Sequence, residues 1–245
     1  MEFNNIIEKN INIGEIPALV LTPKNDSKLH PTIIFYHGWG SSLEKQRFRG
    51  YILCTLGYQV IIPCAIYHGE RNPIDHTNPE NVSKYFWDII LSNINEFKLI
   101  ESYAINSLNA DSNRIGVTGN SMGGFTSAGI FTSNPDIKAL VVFNGSCNFE
   151  YSNNKFIEAL NHLETDIDKD LQERIAQQDP FKNLESIKNR PILLLHGDSD
   201  TLVNVGAQRE FFRKVAPMYE DSDRICFIEY PKLNHFVTTN MMEEA

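Results

Sequence analysis

Six short apolar runs recur along the chain: TIIFYH, YQVIIP, RIGVTG, KALVVFNG, PILLLHG and RICFIEYP. They are rich in Val, Ile and Leu and lack strict alternation, which is the pattern of strands covered on both faces of a sheet. Two further extended segments, NIIEKNINIG and IPALVLTP, open the chain, the second stopped by Pro23. They predict an initial hairpin that adds antiparallel strands at one edge. Helical spacing fills the gaps. SSLEKQRFRGYILCTLG opens on a serine cap candidate and closes at Gly57, and NPENVSKYFWDIILSNINEFKLIESYAINSL carries Pro79 near its start and apolar positions three and four apart. VGAQREFFRKVAPMY lies between the last two runs. Strand and helix in alternation predict an α/β fold, with a mainly parallel eight-stranded sheet and helices on both faces.

One segment breaks the rhythm. Residues 147–189 run long between two strands, and NKFIEALNHLETDIDKDLQERIAQQ within them reads as helical and acidic. A crossover needs one helix, so the excess is expected to be a helical cap inserted in a single domain spanning 1–245. After HFVTTNMMEEA little more than two turns remain for a final helix. Such a short helix is expected to leave an apolar patch that a second subunit covers in a homodimer.

The 245 residues are 42% hydrophobic, enough for a sizeable core. A net charge of −9 disfavours nucleic acid, whose binding draws on lysine and arginine contacts to phosphate. The start, MEFNNIIEKN, has no basic region followed by an apolar stretch, so no secretion signal is expected, and the longest apolar runs are too short to cross a bilayer. Four cysteines (Cys54, Cys64, Cys147 and Cys226) show no CxxC spacing. The expectation is a cytoplasmic protein with reduced, mostly buried thiols and no membrane insertion.

Candidate chemistry centres on GVTGNSMGGFTSAG, where Ser121 lies between Gly119 and Gly123. G-x-S-x-G is short enough to arise by chance, so its context decides: a strand precedes it and a helix follows. At a sharp strand-to-helix turn, residues two positions either side of the nucleophile nearly touch, and glycine answers that need. A serine hydroxyl is a poor nucleophile without a base. His235, in YPKLNHFV beyond the last strand, is placed to be that base. PILLLHGDSDTLV offers Asp198 and Asp200 after the preceding strand; Asp200 is taken as the acid and Asp198 as a turn residue after Gly197. The oxyanion needs two N–H donors: Met122 after the nucleophile, and Trp39 in HGWGSS after the strand TIIFY.

HGWG, GNSMGG, HGDSDTLV and NH in this order resemble an α/β-hydrolase serine esterase of the prolyl-oligopeptidase-like and dienelactone-hydrolase-like branch, small bacterial esterase type, from about Pro31 to Val237. The resemblance implies an α/β-hydrolase fold and places the acid at Asp200. It also implies a helical insertion before the acid strand. Dienelactone hydrolases use a cysteine where this chain has Ser121, and only about thirty residues precede PTIIFYHG, so neither that activity nor a propeller-bearing peptidase is expected. YHGER, Tyr67 to Arg71, resembles a recurring loop of these esterases. Its Arg71 either meets an acidic substrate group or pairs with Glu70 or another carboxylate.

The expected activity is hydrolysis of a small-molecule carboxylic ester of small or medium acyl chain through an acyl-enzyme. A thioesterase or amidase with the same triad, or an inactive scaffold that only binds, are the alternatives. No metal or organic cofactor is called for, since the spacing of His196, Asp198 and Asp200 fits no standard site. Trp39, Phe125, Phe149, Tyr151 and Phe156 are candidates for an apolar acyl pocket, though core packing explains such aromatics equally well.

Overall fold

A computed structural model describes residues 5–24, 28–159 and 169–245. The apolar runs form β1 (Ile6–Ile13), β2 (Ile16–Pro23), β3 (His30–Tyr36), β4 (Gln59–Pro63), β5 (Ala110–Asn120), β6 (Ala139–Phe143), β7 (Ile192–Gly197) and β8 (Ile225–Tyr230). They join in one eight-stranded sheet of order β1-β2-β4-β3-β5-β6-β7-β8. The pairs β1–β2 and β2–β4 are antiparallel, and every other pair is parallel. The hairpin at the edge turns through Gly14 and Glu15, and Gly14 supplies the positive φ of 60° that a tight two-residue turn demands.

The helices are α1 (Leu43–Thr55), α2 (Pro79–Ser107), α3 (Met122–Ser133), α4 (Phe149–Ala159), α5 (Lys169–Gln178), α6 (Leu184–Ile187), α7 (Gly206–Val215) and α8 (Thr239–Glu244). Sequence signals set several of their ends. Ser42 Oγ accepts from the Lys45 N–H at 3.4 Å to start α1. Asn78 Oδ1 accepts from the Glu80 N–H at 3.0 Å to start α2, with Pro79 in the first turn, where its missing N–H costs nothing. Along α2, Phe86, Trp87, Ile90, Ile94 and Phe97 fall on one buried face.

α3 is different, because it is buried from Met122 to Thr132 with no polar side. Small residues let neighbours close on it: a Cβ on Gly129 would lie 2.4 Å from Ile94 Cδ1 of α2. Its hydroxyls turn inward, Ser127 Oγ donating to Gly123 O at 2.9 Å and Thr132 Oγ1 to Ala128 O at 2.8 Å. Buried polar groups are thereby satisfied without water.

Alternation along the central strands divides the core between two faces. Ile34 and Tyr36 point to the side of α2, α3 and α7; Phe35 points to the side of α1 and α8. Six-residue α8 would not form alone. Burial of Met241 and Met242 holds it, contributing about 1.5–3 kcal/mol each. Beside it the sheet face stays open as a groove of about 490 Å³, lined by Ile33, Leu53, Leu56, Val117, Ala139 and Ala245 among others.

Within 147–189, residues 160–168 of the expected cap lie outside the described residues. The described part is held from both ends by Asp179. Its carboxylate accepts the N–H groups of Phe149 (3.0 Å) and Glu150 (3.1 Å) at the start of α4, and that of Phe181 at 3.0 Å. α4 rests on α2, where Trp87 Nε1–H donates to Asn153 Oδ1 at 2.8 Å and Phe156 stands edge-on to Phe86. Among the described residues no helix is long and apolar enough to cross a membrane.

Cys54, Cys64 and Cys147 are buried and Cys226 is exposed. Burial pushes the Cys54 thiol up to about 12 and the Cys64 thiol up to about 11, so neither forms thiolate near neutrality. Titration with an aromatic disulfide reagent is expected to modify one thiol in the native protein and all four after denaturation. Rapid native reaction of a second thiol would contradict this packing.

Candidate active site

Ser121 sits in the turn between β5 and α3 at φ 56° and ψ −124°, a conformation that non-glycine residues avoid. The strain is held by its surroundings. The Ser121 N–H donates to Phe143 O at 2.9 Å, and its carbonyl accepts from Gly124 and Phe125 at 2.8 and 3.2 Å. A Cβ on Gly119 would lie 2.2 Å from Gly123 O, and one on Gly123 would lie 2.1 Å from Tyr36 O. Neither position admits a side chain, as the motif predicts. The Ser121 side chain makes no cap hydrogen bond, so its hydroxyl is not spent on α3. Met122, as the first residue of that helix, has an N–H without an intrahelical partner.

The loop after β3 lies against this turn. A Cβ on Gly38 would meet Asn120 Nδ2 at 2.9 Å and Ser121 Cβ at 3.2 Å. Trp39 follows, half-buried, with its indole N–H donating to His76 O at 2.8 Å. Opposite, beyond β7 and β8, His235 Nδ1 lies 2.7 Å from Asp200 Oδ2. Asp200 Oδ1 accepts the N–H groups of Leu202 and Val203, both at 2.9 Å. His196 Nε2 stands 3.1 Å from Asp200 Oδ2 and 3.0 Å from Val203 O, partners that assign its proton to Nε2. Burial pushes the Asp200 carboxyl up, but the hydrogen bonds from His196 and His235 outweigh it and hold the group well below the ordinary carboxylate range. A carboxylate fixed in this way keeps the His235 proton on Nδ1 and leaves Nε2 as the lone-pair nitrogen.

Two asparagines tie these loops together. Asn144, directly after Phe143, accepts the Gly197 N–H at 3.0 Å and donates to Phe236 O at 2.9 Å. It thereby joins the acid-bearing and histidine-bearing loops beside the residue that anchors Ser121. Asn234 Oδ1 accepts from Thr201 N–H at 2.9 Å, Thr201 Oγ1 at 3.1 Å and His235 N–H at 2.8 Å. Asp198 takes up a turn, its Oδ1 accepting from Lys232 N–H at 2.7 Å and Ser199 Oγ at 2.8 Å. All these groups gather at the carboxyl ends of parallel strands, where open α/β sheets bind ligands.

A profile of the prolyl oligopeptidase family matches residues 93–244, more than half of the chain. The chain belongs to the prolyl oligopeptidase family. Over 240 residues it is 30% identical to the "Putative esterase YitV" of Bacillus subtilis, covering 94% of this chain and 92% of that protein. Over 248 residues it is 27% identical to the "Esterase YjfP" of Escherichia coli, covering 95% and 94%. TT1662 from Thermus thermophilus superimposes with a TM-score of 0.79 at 17% identity, covering 98% of this chain and 94% of that one. The sheet order and these likenesses make the fold that of an α/β-hydrolase.

In this member of the prolyl oligopeptidase family, Phe125 and Phe149 depart from the expected acyl pocket, and the carboxylate alternative holds for Arg71. The Arg71 guanidinium forms a two-pronged ion pair with Glu96 of α2, Nη1 lying 3.0 Å from Oε2, and also donates to Cys64 O at 2.9 Å. Phe125 and Phe149 have no exposed surface and stack in an aromatic core with Phe86 and Trp87. Tyr151 turns toward α7, its hydroxyl donating to Asn204 Oδ1 at 3.2 Å. Trp39 remains half-exposed. Sequence reasoning missed Asn144, Asn234 and His196 as supports. Asn144 at the end of an apolar run and His196 two residues from Asp198 were the available signals.

Two outcomes follow from this geometry. Gly123→Ala drives a methyl into backbone and is expected to destabilise the fold by at least about 3 kcal/mol in urea unfolding, the upper end of overpacking penalties. For Asp200 the lowered carboxyl pKa gives stability that is full above the unfolded value of 3.8 and is lost as pH falls through the folded one. The stability gap between wild type and Asp200→Asn should therefore hold steady from pH 7 to about 5 and narrow only in more acid solution. A gap that closes near pH 6 would contradict it.

Proposed function

We propose that this chain is a serine hydrolase that cleaves carboxylic esters of small or medium acyl chains through an acyl-enzyme. Ser121 is the nucleophile, His235 the general base and Asp200 the acid that orients it. The strongest support is the 2.7 Å contact of His235 Nδ1 with Asp200 Oδ2, which turns the ring's other nitrogen free to take a proton. Further support comes from the strained Ser121, whose hydroxyl has no capping duty, and from the relatives named as esterases.

In this scheme Ser121 Oγ bonds to the ester carbonyl carbon as His235 Nε2 takes the hydroxyl proton. The oxyanion is held by the N–H groups of Trp39 and Met122. Collapse breaks the bond to the alkoxide, which leaves as an alcohol with the proton from His235. Water then attacks the acyl-Ser121 ester, gives its proton to His235, and the acid is released with Ser121 re-protonated. The cycle calls on no metal or organic cofactor. The chain is read as one catalytic domain in which the described parts of 147–189, α4 and α5 among them, belong to a cap, since Phe156 of α4 packs on Phe86, which in turn lies against Trp39. The peptidase family match favours an amide as the second substrate class, with the same atoms moving and an amine leaving.

Hydrolysis of p-nitrophenyl esters from acetate to laurate tests the proposal. Ser121→Ala is expected to lose at least about 10⁴-fold in kcat, a floor below the roughly 10⁶-fold loss seen when a triad serine is removed. Equal rates in both proteins, or no activity on any ester, would sink it. Faster cleavage of p-nitroanilides than of matched esters would move the amide reading ahead.

A further inference from the structure

We propose that His68, acting with His37, is a positioning residue that fixes the two peptide planes flanking Trp39 so that the Trp39 N–H faces the oxyanion. This rests on the esterase reading above. The Gly38–Trp39 peptide carries the proposed donor at one end and Gly38 O at the other. That oxygen accepts from His37 Nδ1–H at 2.9 Å, and because the peptide is planar and trans, holding the oxygen aims the N–H. The next peptide, Trp39–Gly40, is held by its own N–H, which donates to His68 Nε2 at 3.1 Å. With both planes pinned, the backbone at Trp39 has little freedom left.

Each ring is in turn referred back to the loop that follows β4. His37 Nε2 accepts the Ala65 N–H at 3.1 Å, and His68 Nδ1–H donates to Ile66 O at 3.0 Å. Trp39 Nε1–H donates to His76 O at 2.8 Å, further along the same loop. These partners require both rings to be neutral with the proton on Nδ1, since a proton on His68 Nε2 would confront the Gly40 N–H. Burial supports this state, lowering His37 to about 4 and His68 to about 3, and the two ring centroids lie 4.8 Å apart. The loop itself is bolted to α2 by the Arg71–Glu96 pair and closed on itself by Arg71 donating to Cys64 O. The YHGER stretch thus holds the loop that carries Trp39.

The test compares His68→Gln, which keeps an acceptor near the place of Nε2, with His68→Leu, which removes it, in the p-nitrophenyl butyrate assay. Removing an oxyanion donor outright costs about 10²–10³-fold in kcat, so a loosened donor is expected to cost about 10–100-fold in His68→Leu with KM within about 3-fold. His68→Gln is expected to stay within about 5-fold of wild type. Full kcat in His68→Leu overturns the proposal. So does a Gln variant as slow as the Leu variant at unchanged Tm. Should His68→Leu fail to fold, His68→Gln decides alone; its failure to fold also overturns the proposal, because the ring and not the acceptor would then be what matters. Ser121→Ala in the same assay separates the two readings. An active Ser121→Ala removes the esterase reading and the brace with it, whereas an inactive one beside a fully active His68→Leu removes the brace alone.

Discussion

The close contact between the Tyr36 carbonyl and the backbone of Gly123 is the constraint on which the site depends. β3 ends where α3 begins, at a separation that no side chain survives. Because β3 runs into this contact, the loop it feeds arrives with Gly38 against Ser121. Because α3 is drawn in so tightly, its first N–H and the strained serine lie beside that loop. Two glycines and a carbonyl therefore bring the nucleophile turn and the proposed oxyanion loop together before any functional hydrogen bond is counted.

The polar half of the site follows the opposite logic, with its buried carboxylate and its central amide both supplied with partners. Asp200 receives two backbone N–H groups and two histidine rings, so its charge persists in a dry place. Asn144 spends both ends of its amide on the loops that carry the acid and the histidine. Fixed dipoles of this kind need little rearrangement when charge moves, which is the condition for electrostatic stabilisation inside a protein. The neutral rings of His37 and His68 extend the same principle to the loop after β4.

Local signals made the fold and the turn at Ser121 legible in the sequence. The strand runs, the Asn78–Pro79 helix start and the G-x-S-x-G spacing each act over a few residues, and each is found where the pattern predicts it. What stayed hidden depends on pairs far apart in the chain. Whether Arg71 meets a substrate or a carboxylate is decided by Glu96, twenty-five positions on and on another element. Phe125 and Phe149 read alike as pocket or core, because an aromatic ring satisfies either place; only their stacking on Phe86 and Trp87 decides it. His196 could be seen as a titratable group near two aspartates, but its service to Asp200 is a matter of tertiary distance.

The enclosure of α3 has an evolutionary consequence. A helix with no solvent-facing side offers almost no neutral positions, since any change of volume is felt by the sheet on one side and α2 on the other. Substitutions along α3 are therefore expected to be felt at the turn that carries Ser121. Room for change lies instead in the segment after β4 and in α4 and α5, whose surfaces meet solvent in part. A rigid helix beside a more open rim makes a division of labour, in which the enclosed part holds position and the loops are the part free to vary.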